Sequence, residues 1–180
     1  MRGRVLKAPD GDETRPTSDR ARQAIFNILE HAPWSNGLGG LAVLDLFAGS
    51  GAMGLEALSR GAAGCLFIDS SEAACRAIRS NVEALGLTEN ASVSRQNVAK
   101  LGRRPPAQPP FQLVFLDPPY GSDLGEQALA GLPAGEWLAK DATLVFERKS
   151  GSPPVQPEGF EVLDVRTYGV AEMVILRQGR

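Results

Sequence analysis

Histidine and cysteine are scarce in this sequence, and each shortage excludes a class of chemistry. Among 180 residues there is one histidine, His31, so a histidine-based nucleophilic triad must use that residue. His31 is predicted at the end of a helix, where a cap or a partner of the helix dipole is the usual role. The cysteines, Cys65 and Cys75, are too few and wrongly spaced for a zinc site or a disulfide framework. They are interpreted as buried apolar residues, and no metal is expected.

Strong net charge and long apolar runs are also absent. The formal net charge of −2 argues against a general nucleic-acid binder, so any RNA contact must be local. No apolar run is long enough to span a bilayer and no signal peptide is recognised, so we expect no membrane contact and a cytoplasmic protein. With 43% hydrophobic and 22% charged residues, the chain is expected to form one compact domain with a core.

The most informative stretch runs from Phe111 to Tyr120. Its first six residues form a short, mostly apolar run, which predicts a buried strand. Pro118 and Pro119 have no N–H and a fixed φ, so the chain must leave the sheet there along a stiff path. Asp117 therefore stands at the carboxyl edge of the sheet, where open α/β sheets bind their ligands.

This corner suits the exocyclic amine of a planar base. The lone pair of such an amine is delocalised into the ring, so acceptors that hold its two N–H groups favour the nucleophilic form. Asp117 and the Pro118 carbonyl are the candidate acceptors, and Tyr120 can stack on the base. The candidate catalytic set is Asp117, Pro118, Pro119 and Tyr120. The alternative is a simple Asp-Pro-Pro turn that closes a strand, with Tyr120 at its rim.

A glycine-rich turn indicates a cofactor site. Residues 41–47 are predicted to form a strand interrupted only by Asp45, and Gly49, Gly51 and Gly54 then make G-x-G-x-x-G at the start of a helix. Glycines let the backbone pass close beneath a cofactor, and a helix N-terminus suits an anionic group. The second strand ends at Asp69, about twenty residues beyond the first glycine, the separation expected of an acid that binds ribose hydroxyls.

Asp69 suits the ribose of NAD or of S-adenosyl-L-methionine. A dehydrogenase usually needs a second, substrate-binding domain and an acid–base residue, and the chain has no room for the first and no obvious candidate for the second. Asp45 supplies a carboxylate for a methionyl amine, which favours S-adenosyl-L-methionine. Asn97, after the third strand, either reaches the adenine or merely caps a turn. The candidate cofactor-binding residues are Asp45, Phe47, Ala48, Gly49, Ser50, Gly51, Asp69, Ser70, Asn97 and Val98.

The N-terminal segment holds the candidates for RNA contact. A helix is predicted within residues 14–29, with Thr17 or Ser18 as its cap. The nearby arginines either grip phosphates or form a solvated, salt-bridged face with neighbouring acids. The candidate RNA-binding residues are Arg15, Thr17, Arg20 and Arg22.

Three motifs, at 15–29, 45–54 and 115–120, resemble those of the bacterial 16S ribosomal RNA guanine-N2 methyltransferase family, and the resemblance covers nearly the whole chain. D-L-F-A-G-S-G-A-M-G is shared by most methyltransferases, and D-P-P-Y by those that act on amines of adenine, cytosine or guanine. R-P-T-S-D-R is the most specific of the three motifs, and it favours a ribosomal substrate. The resemblance implies that Gly49 and Gly51 lie under the methionine part of the cofactor. The family usually has aspartate at the position of Asn97.

The resemblance implies an α/β, Rossmann-like class I methyltransferase fold. Its sheet has seven strands, mostly parallel, in the order 3-2-1-4-5-7-6, with an antiparallel C-terminal hairpin and helices on both faces. Successive βα units and a terminal hairpin near Gly169 support this prediction. Residues 1–32 are interpreted as a basic, RNA-facing arm and helix, and residues 33–180 as the methyltransferase domain.

The predicted function is S-adenosyl-L-methionine-dependent methylation of the N2 amine of a guanine in 16S ribosomal RNA, by a monomer. The substrate is either free RNA or an assembled small ribosomal subunit. The alternatives are an adenine-N6 methyltransferase on DNA or RNA, a non-catalytic RNA-binding assembly factor, and lastly an NAD oxidoreductase. Glu147 is interpreted as a surface acid at a strand end, with a minor role near the target as the alternative.

Overall fold

The computed structural model describes residues 19–154 and 156–179, which form helices around one sheet. The helices are α1 (Asp19–His31), α2 (Ala52–Ser59), α3 (Glu72–Leu85) and α4 (Leu124–Ala134), and a short 3-10 helix spans Val98–Lys100. The strands are β1 (Ala42–Leu46), β2 (Gly64–Asp69), β3 (Ala91–Arg95), β4 (Phe111–Leu116), β5 (Leu138–Lys149), β6 (Phe160–Tyr168) and β7 (Ala171–Gln178). In the part of the chain that is described, none of the helices combines the length and the apolar character needed to traverse a lipid bilayer.

The sheet has the order β3-β2-β1-β4-β5-β7-β6, as predicted. The first five of these strands run parallel, and β7 lies antiparallel between β5 and β6. Leu46 pairs with both Ile68 and Leu116, so β1, β2 and β4 end level with one another. The turns that follow these three strands therefore emerge together at one edge of the sheet.

Two apolar layers cover the faces of the sheet. On one face, Phe26 of α1 packs against Phe115 of β4 with ring centroids 5.6 Å apart, and the Arg60 guanidinium lies 5.0 Å from the Phe26 ring centroid. The same layer contains the buried faces of α2 and α3. On the other face, α4 packs against β5, and Trp137 stacks on Phe111 at 6.1 Å. Helices thus lie on both faces, and α1 belongs to the main core.

Strand β5 is longer than the sequence predicts. The apolar run at 142–146 predicts a strand of five residues, but the strand runs from Leu138 to Lys149. The early part pairs with Phe111 and is separated from the later part by a register shift, next to Asp141 at φ 57°. The late part is extended by pairing with β7 as far as Lys149 opposite Ala171. Non-local pairing, and not the local pattern, sets the length of this strand.

Gly125→Ala and Gly131→Ala are expected to have opposite effects on stability, although both residues lie in α4. A Cβ at Gly125 would lie 2.5 Å from Phe146 Cε2 and 2.8 Å from Pro118 Cγ, whereas at Gly131 no atom of the described residues lies within 4 Å. Overpacking at position 125 should lower the free energy of unfolding by about 1–3 kcal/mol. At position 131, alanine should raise it by roughly 0.5–1 kcal/mol through helix propensity. Urea denaturation of both variants measures the difference, and shifts of the same sign would contradict the packing described.

Candidate active site

The glycine turn connects β1 to α2 through several residues in the left-handed region. Phe47, Gly49 and Gly51 have φ values of 57°, 55° and 77°. A non-glycine residue in this region stores strain, which is typical of ligand-binding turns. A Cβ at Gly54 would lie 2.4 Å from Phe67 Cε1 and 2.6 Å from Cys65 Sγ. Gly54 therefore allows α2 to pack directly on β2, the role expected of the third glycine of this motif.

Asp45 is a buried acid attached to the start of α2. Its side chain is 3% exposed, and its Oδ2 accepts a hydrogen bond of 2.9 Å from the Gly54 N–H. Burial raises the pKa of Asp45 to about 7, and repulsion from Asp69 adds to the effect, while the Gly54 hydrogen bond opposes it. Near neutral pH this carboxyl exchanges between its charged and neutral forms, so a cation bound beside it would favour the charged form.

Asp69 holds two turns at the sheet edge. Its Oδ2 accepts from the Gly49 N–H at 2.9 Å, and its Oδ1 accepts from the Ser71 N–H at 2.8 Å. The acid at the end of β2 thereby orders both the glycine turn and the N-terminus of α3, next to the exposed Ser70. Since a carboxylate has about four acceptor sites, these bonds leave capacity for ribose hydroxyls. That role stays a prediction.

Asn81 of α3 holds the glycine turn in place through a hydrogen bond, and the sequence did not predict this role. This α3 side chain is 4% exposed, and its Nδ2 donates to the Ser50 carbonyl at 3.1 Å. Ala48 is fixed as well, because its N–H donates to the Ile68 carbonyl at 3.2 Å. A polar residue on the otherwise apolar face of α3 was the only signal in the sequence.

Asn97 and Val98 lie at the start of the 3-10 helix. The Asn97 Oδ1 accepts from the Ala99 N–H at 3.0 Å, so this side chain caps the helix, which is the alternative that the sequence left open. Val98 is 4% exposed and packs in the core beside α4, so its side chain serves packing. Contacts of these two residues with a cofactor stay predictions.

The D-P-P-Y corner leaves the sheet directly after β4. The Asp117 N–H lies 3.5 Å from the Leu46 carbonyl, which ties the corner to the end of β1. Pro118 is buried, and the Pro119 carbonyl accepts from Ser122 Oγ at 2.7 Å. Tyr120 is 43% exposed, and its hydroxyl donates to Glu147 Oε1 at 2.8 Å. The corner is therefore held at both ends while its aromatic ring faces solvent.

Glu147 is not a surface acid, and that interpretation was wrong. Its side chain is 6% exposed and binds the Tyr120 hydroxyl. The physical reason is the extension of β5: Glu147 pairs with Met173 of β7 and so lies inside the sheet, not beyond its end.

Asp117 lies in a strongly negative environment. Although one side of the residue is open to solvent, the surrounding protein desolvates its carboxyl, and repulsion from Glu147 and then Asp45 adds to this. Together these raise the pKa of Asp117 well above its usual range. Such a cluster of acids attracts a cationic ligand.

Within residues 19–154 and 156–179, no three acidic, histidine or cysteine side chains are arranged to bind a metal ion.

A cleft of about 870 Å³ opens beside the D-P-P-Y corner. It runs between α4 and the loop that connects β5 to β6, over the face of the sheet. Neither the glycine turn nor Asp117 lines this cleft, which adjoins the acceptor side of the site through Pro118, Pro119 and Tyr120. Its lining near the corner includes Pro118, Pro119, Tyr120, Phe146 and Glu147.

The arginines proposed for RNA contact differ in their surroundings. Arg15 and Thr17 lie outside the described residues. Arg20 is exposed at the start of α1, whereas Arg22 forms an ion pair with Asp19 at 2.7 Å. The ion pair matches the salt-bridged alternative for Arg22, and RNA contact by either residue stays a prediction.

Fold and site together define a class I methyltransferase. The solved structure of the yhhF protein from Escherichia coli matches with a TM-score of 0.80 and 33% identity, over 99% of this chain and 93% of that one. The family model described as conserved hypothetical protein 95 matches residues 1–177, and the chain belongs to that family.

Several curated relatives carry the name ribosomal RNA small subunit methyltransferase D, among them proteins from Haemophilus influenzae and Escherichia coli. The protein from Haemophilus influenzae is 35% identical over 171 residues, which is 94% of this chain and 86% of the relative. The protein from Escherichia coli is 37% identical over 156 residues, which is 86% of this chain and 75% of the relative. The similarity therefore extends over the fold and the candidate site together.

Asp45→Asn is expected to change how stability depends on pH. The folded-state pKa of Asp45, about 7, exceeds the ordinary 3.8, so the folded protein binds more protons than the unfolded chain between these values. Wild-type stability therefore loses a contribution as pH rises through that window, and the variant does not. Relative to wild type, the variant's free energy of unfolding should rise by on the order of a few kcal/mol between about pH 4 and about pH 8.

Urea denaturation at both pH values tests this expectation. Glu89→Gln, which removes an exposed carboxylate, is the control and should give a curve parallel to that of the wild type. A difference between Asp45→Asn and wild type that does not change with pH would contradict the buried, raised-pKa carboxyl.

Proposed function

We propose that this protein transfers a methyl group from S-adenosyl-L-methionine to the N2 amine of a guanine in 16S ribosomal RNA. The observation that carries the proposal is that the D-P-P-Y corner lies next to the end of β1, from which the glycine turn follows. Asp117 lies 3.5 Å, N–H to carbonyl oxygen, from Leu46 at the end of β1, and the charge of Asp45 beside the glycine turn contributes to the raised pKa of Asp117. Donor and acceptor elements thus adjoin each other at one sheet edge.

The residues at this edge fit S-adenosyl-L-methionine. Its sulfonium and amine are cationic, and Asp45, Asp69 and Asp117 supply the opposite charge. The left-handed glycine turn supplies a backbone that can pass close to a ligand. When bound, the cofactor supplies a methyl group that is already activated by the positive sulfur.

The chain's own residues then have to hold and orient the amine. The Asp117 carboxylate and the Pro118 carbonyl accept its two N–H groups, and Tyr120 stacks on the base. Because the pKa of Asp117 is raised, this carboxylate is also a competent acceptor for the proton that the amine loses. Drawing the base out of its stack costs a few kcal/mol.

The ribosomal substrate is supported by the names of the curated relatives and by the R-P-T-S-D-R motif. The net charge of −2 favours a structured particle that presents the base over general RNA binding. A cytoplasmic monomer that acts on 16S ribosomal RNA, free or within the small subunit, completes the proposal. Incubation of under-methylated RNA and of subunits with tritiated S-adenosyl-L-methionine, followed by nucleoside analysis, should yield N2-methylguanosine. A yield of N6-methyladenosine would replace the proposal with the adenine alternative.

Asp117→Ala should lose methyl transfer far more than cofactor affinity. The carboxylate acts on the amine and not on the cofactor's anchoring groups, so kcat should fall on the order of a hundredfold or more. The dissociation constant for S-adenosyl-L-methionine, measured by calorimetry, should change by less than about tenfold, since the change removes one nearby charge. Asp117→Asn, which keeps the shape and one acceptor oxygen, is the matched variant and should retain more activity. Equal losses of transfer and of affinity would contradict the assigned role.

Arg20→Glu should weaken RNA binding if this exposed arginine faces a phosphate. Loss of one phosphate contact should reduce the slope of log affinity against log salt by about one. Arg76→Glu is the control, because Arg76 is an exposed arginine on α3 that lies 3.9 Å from Glu72. Equal salt dependence in the Arg20 variant and the wild type would remove Arg20 from the RNA interface.

A further inference from the structure

Glu147 is a buried carboxylate beside the amine-binding corner, and holding the amine does not require it. It is 6% exposed, it accepts a hydrogen bond of 2.8 Å from the Tyr120 hydroxyl, and it lines the same cleft as Pro118 and Pro119. Burying a carboxylate costs free energy, and this one is buried beside a cleft next to the D-P-P-Y corner. Such a group is expected to serve a ligand.

The sheet places Glu147 next to Asp117. Leu116 pairs with Phe146 in the parallel β4–β5 ladder, so Asp117 and Glu147 follow at neighbouring positions. Adjacent strands are about 4.8 Å apart, and residues at matching positions point to the same face. Repulsion from Glu147 is indeed the largest charge effect on Asp117. A base whose amine is held by Asp117 therefore has its neighbouring ring atoms near Glu147.

The three amine-bearing bases differ in the atom next to their amine. In guanine, N2 is flanked by the N1–H group, which is a donor. In adenine and cytosine, the ring nitrogen beside the amine carries no proton and is an acceptor. A carboxylate, which accepts only, attracts the first arrangement and repels the other two. Sites built to hydrogen-bond a group discriminate strongly against analogues that lack it.

We propose that Glu147 selects guanine by accepting the N1–H of the target base, with the Tyr120 hydroxyl holding the carboxylate in place. The proposal rests on the proposed function and names its specificity-determining residue. A carboxylate has two oxygens and about four acceptor sites, so the bond from Tyr120 does not exhaust its capacity. The same residue thereby orients the stacking ring and reads the edge of the base.

The test uses small subunits reconstituted with RNA that carries 2-aminopurine in place of the methylated guanine. This base keeps the amine at C2, but its N1 has no proton. Wild-type protein should prefer guanine by on the order of tenfold to a hundredfold in kcat/KM, the effect of one hydrogen bond to a charged group. In Glu147→Gln the preference should shrink at least about tenfold, because an amide can turn to donate to the unprotonated N1.

Two further variants distinguish direct recognition of the base N1–H by Glu147 from a role limited to positioning Tyr120. Tyr120→Phe removes the hydroxyl and should lower activity while the preference for guanine persists. Glu126→Gln changes another carboxylate that lines the cleft, on α4, and should leave the preference unchanged. If Glu147→Gln and Tyr120→Phe reduce activity on both bases equally, Glu147 acts only through Tyr120 and the proposal fails.

The outcomes also distinguish this proposal from the proposed function. If the wild type makes no N2-methylguanosine in any subunit, the proposed function fails. If it methylates guanine and 2-aminopurine equally well, only the role of Glu147 fails, and this result needs no variant to fold. Urea midpoints for each variant identify those that lose activity through unfolding.

Discussion

Negative charge gathered at one sheet edge is the constraint on which the site depends. The level ends of β1, β2 and β4 bring Asp45, Asp69 and Asp117 to the same edge, and β5 adds Glu147. Three of these acids accept a hydrogen bond from elsewhere in the chain. Asp45 and Asp69 accept from the N–H groups of Gly54 and Gly49, and Glu147 accepts from the Tyr120 hydroxyl. Burial raises the pKa values of Asp45 and Asp117, and the remaining repulsion between the acids adds to this effect. A site of this kind is most stable when a cation occupies it.

Much of the fold could be predicted because its signals are local. The strand order followed from alternating strands and helices with a final hairpin. The stiff exit after β4 followed from two prolines, whose φ does not depend on tertiary contacts. The glycine turn followed from the position of its glycines directly after a strand, and their left-handed φ values agree.

What could not be predicted depends on contacts between distant segments. Glu147 is buried because β7, about 26 positions later, pairs with it, and its bond to Tyr120 spans 27 positions. Asn81 reaches the Ser50 carbonyl over 31 positions. The cleft forms between α4 and the loop that connects β5 to β6. Of these contacts, only that of Asn81 leaves a local sign in the sequence, a polar residue on the otherwise apolar face of α3.

The position of β7 between β5 and β6 has a consequence for how the protein is made. Among the described strands, the edge strand β6 bonds only to β7, so it cannot join the sheet when it is first synthesised. It must wait until β7 follows and inserts between the two older strands. During translation the edge of β5 therefore stays unpaired until β7 is made, and it can pair with a wrong strand in that interval. Completion of the sheet is a late, non-local step in folding.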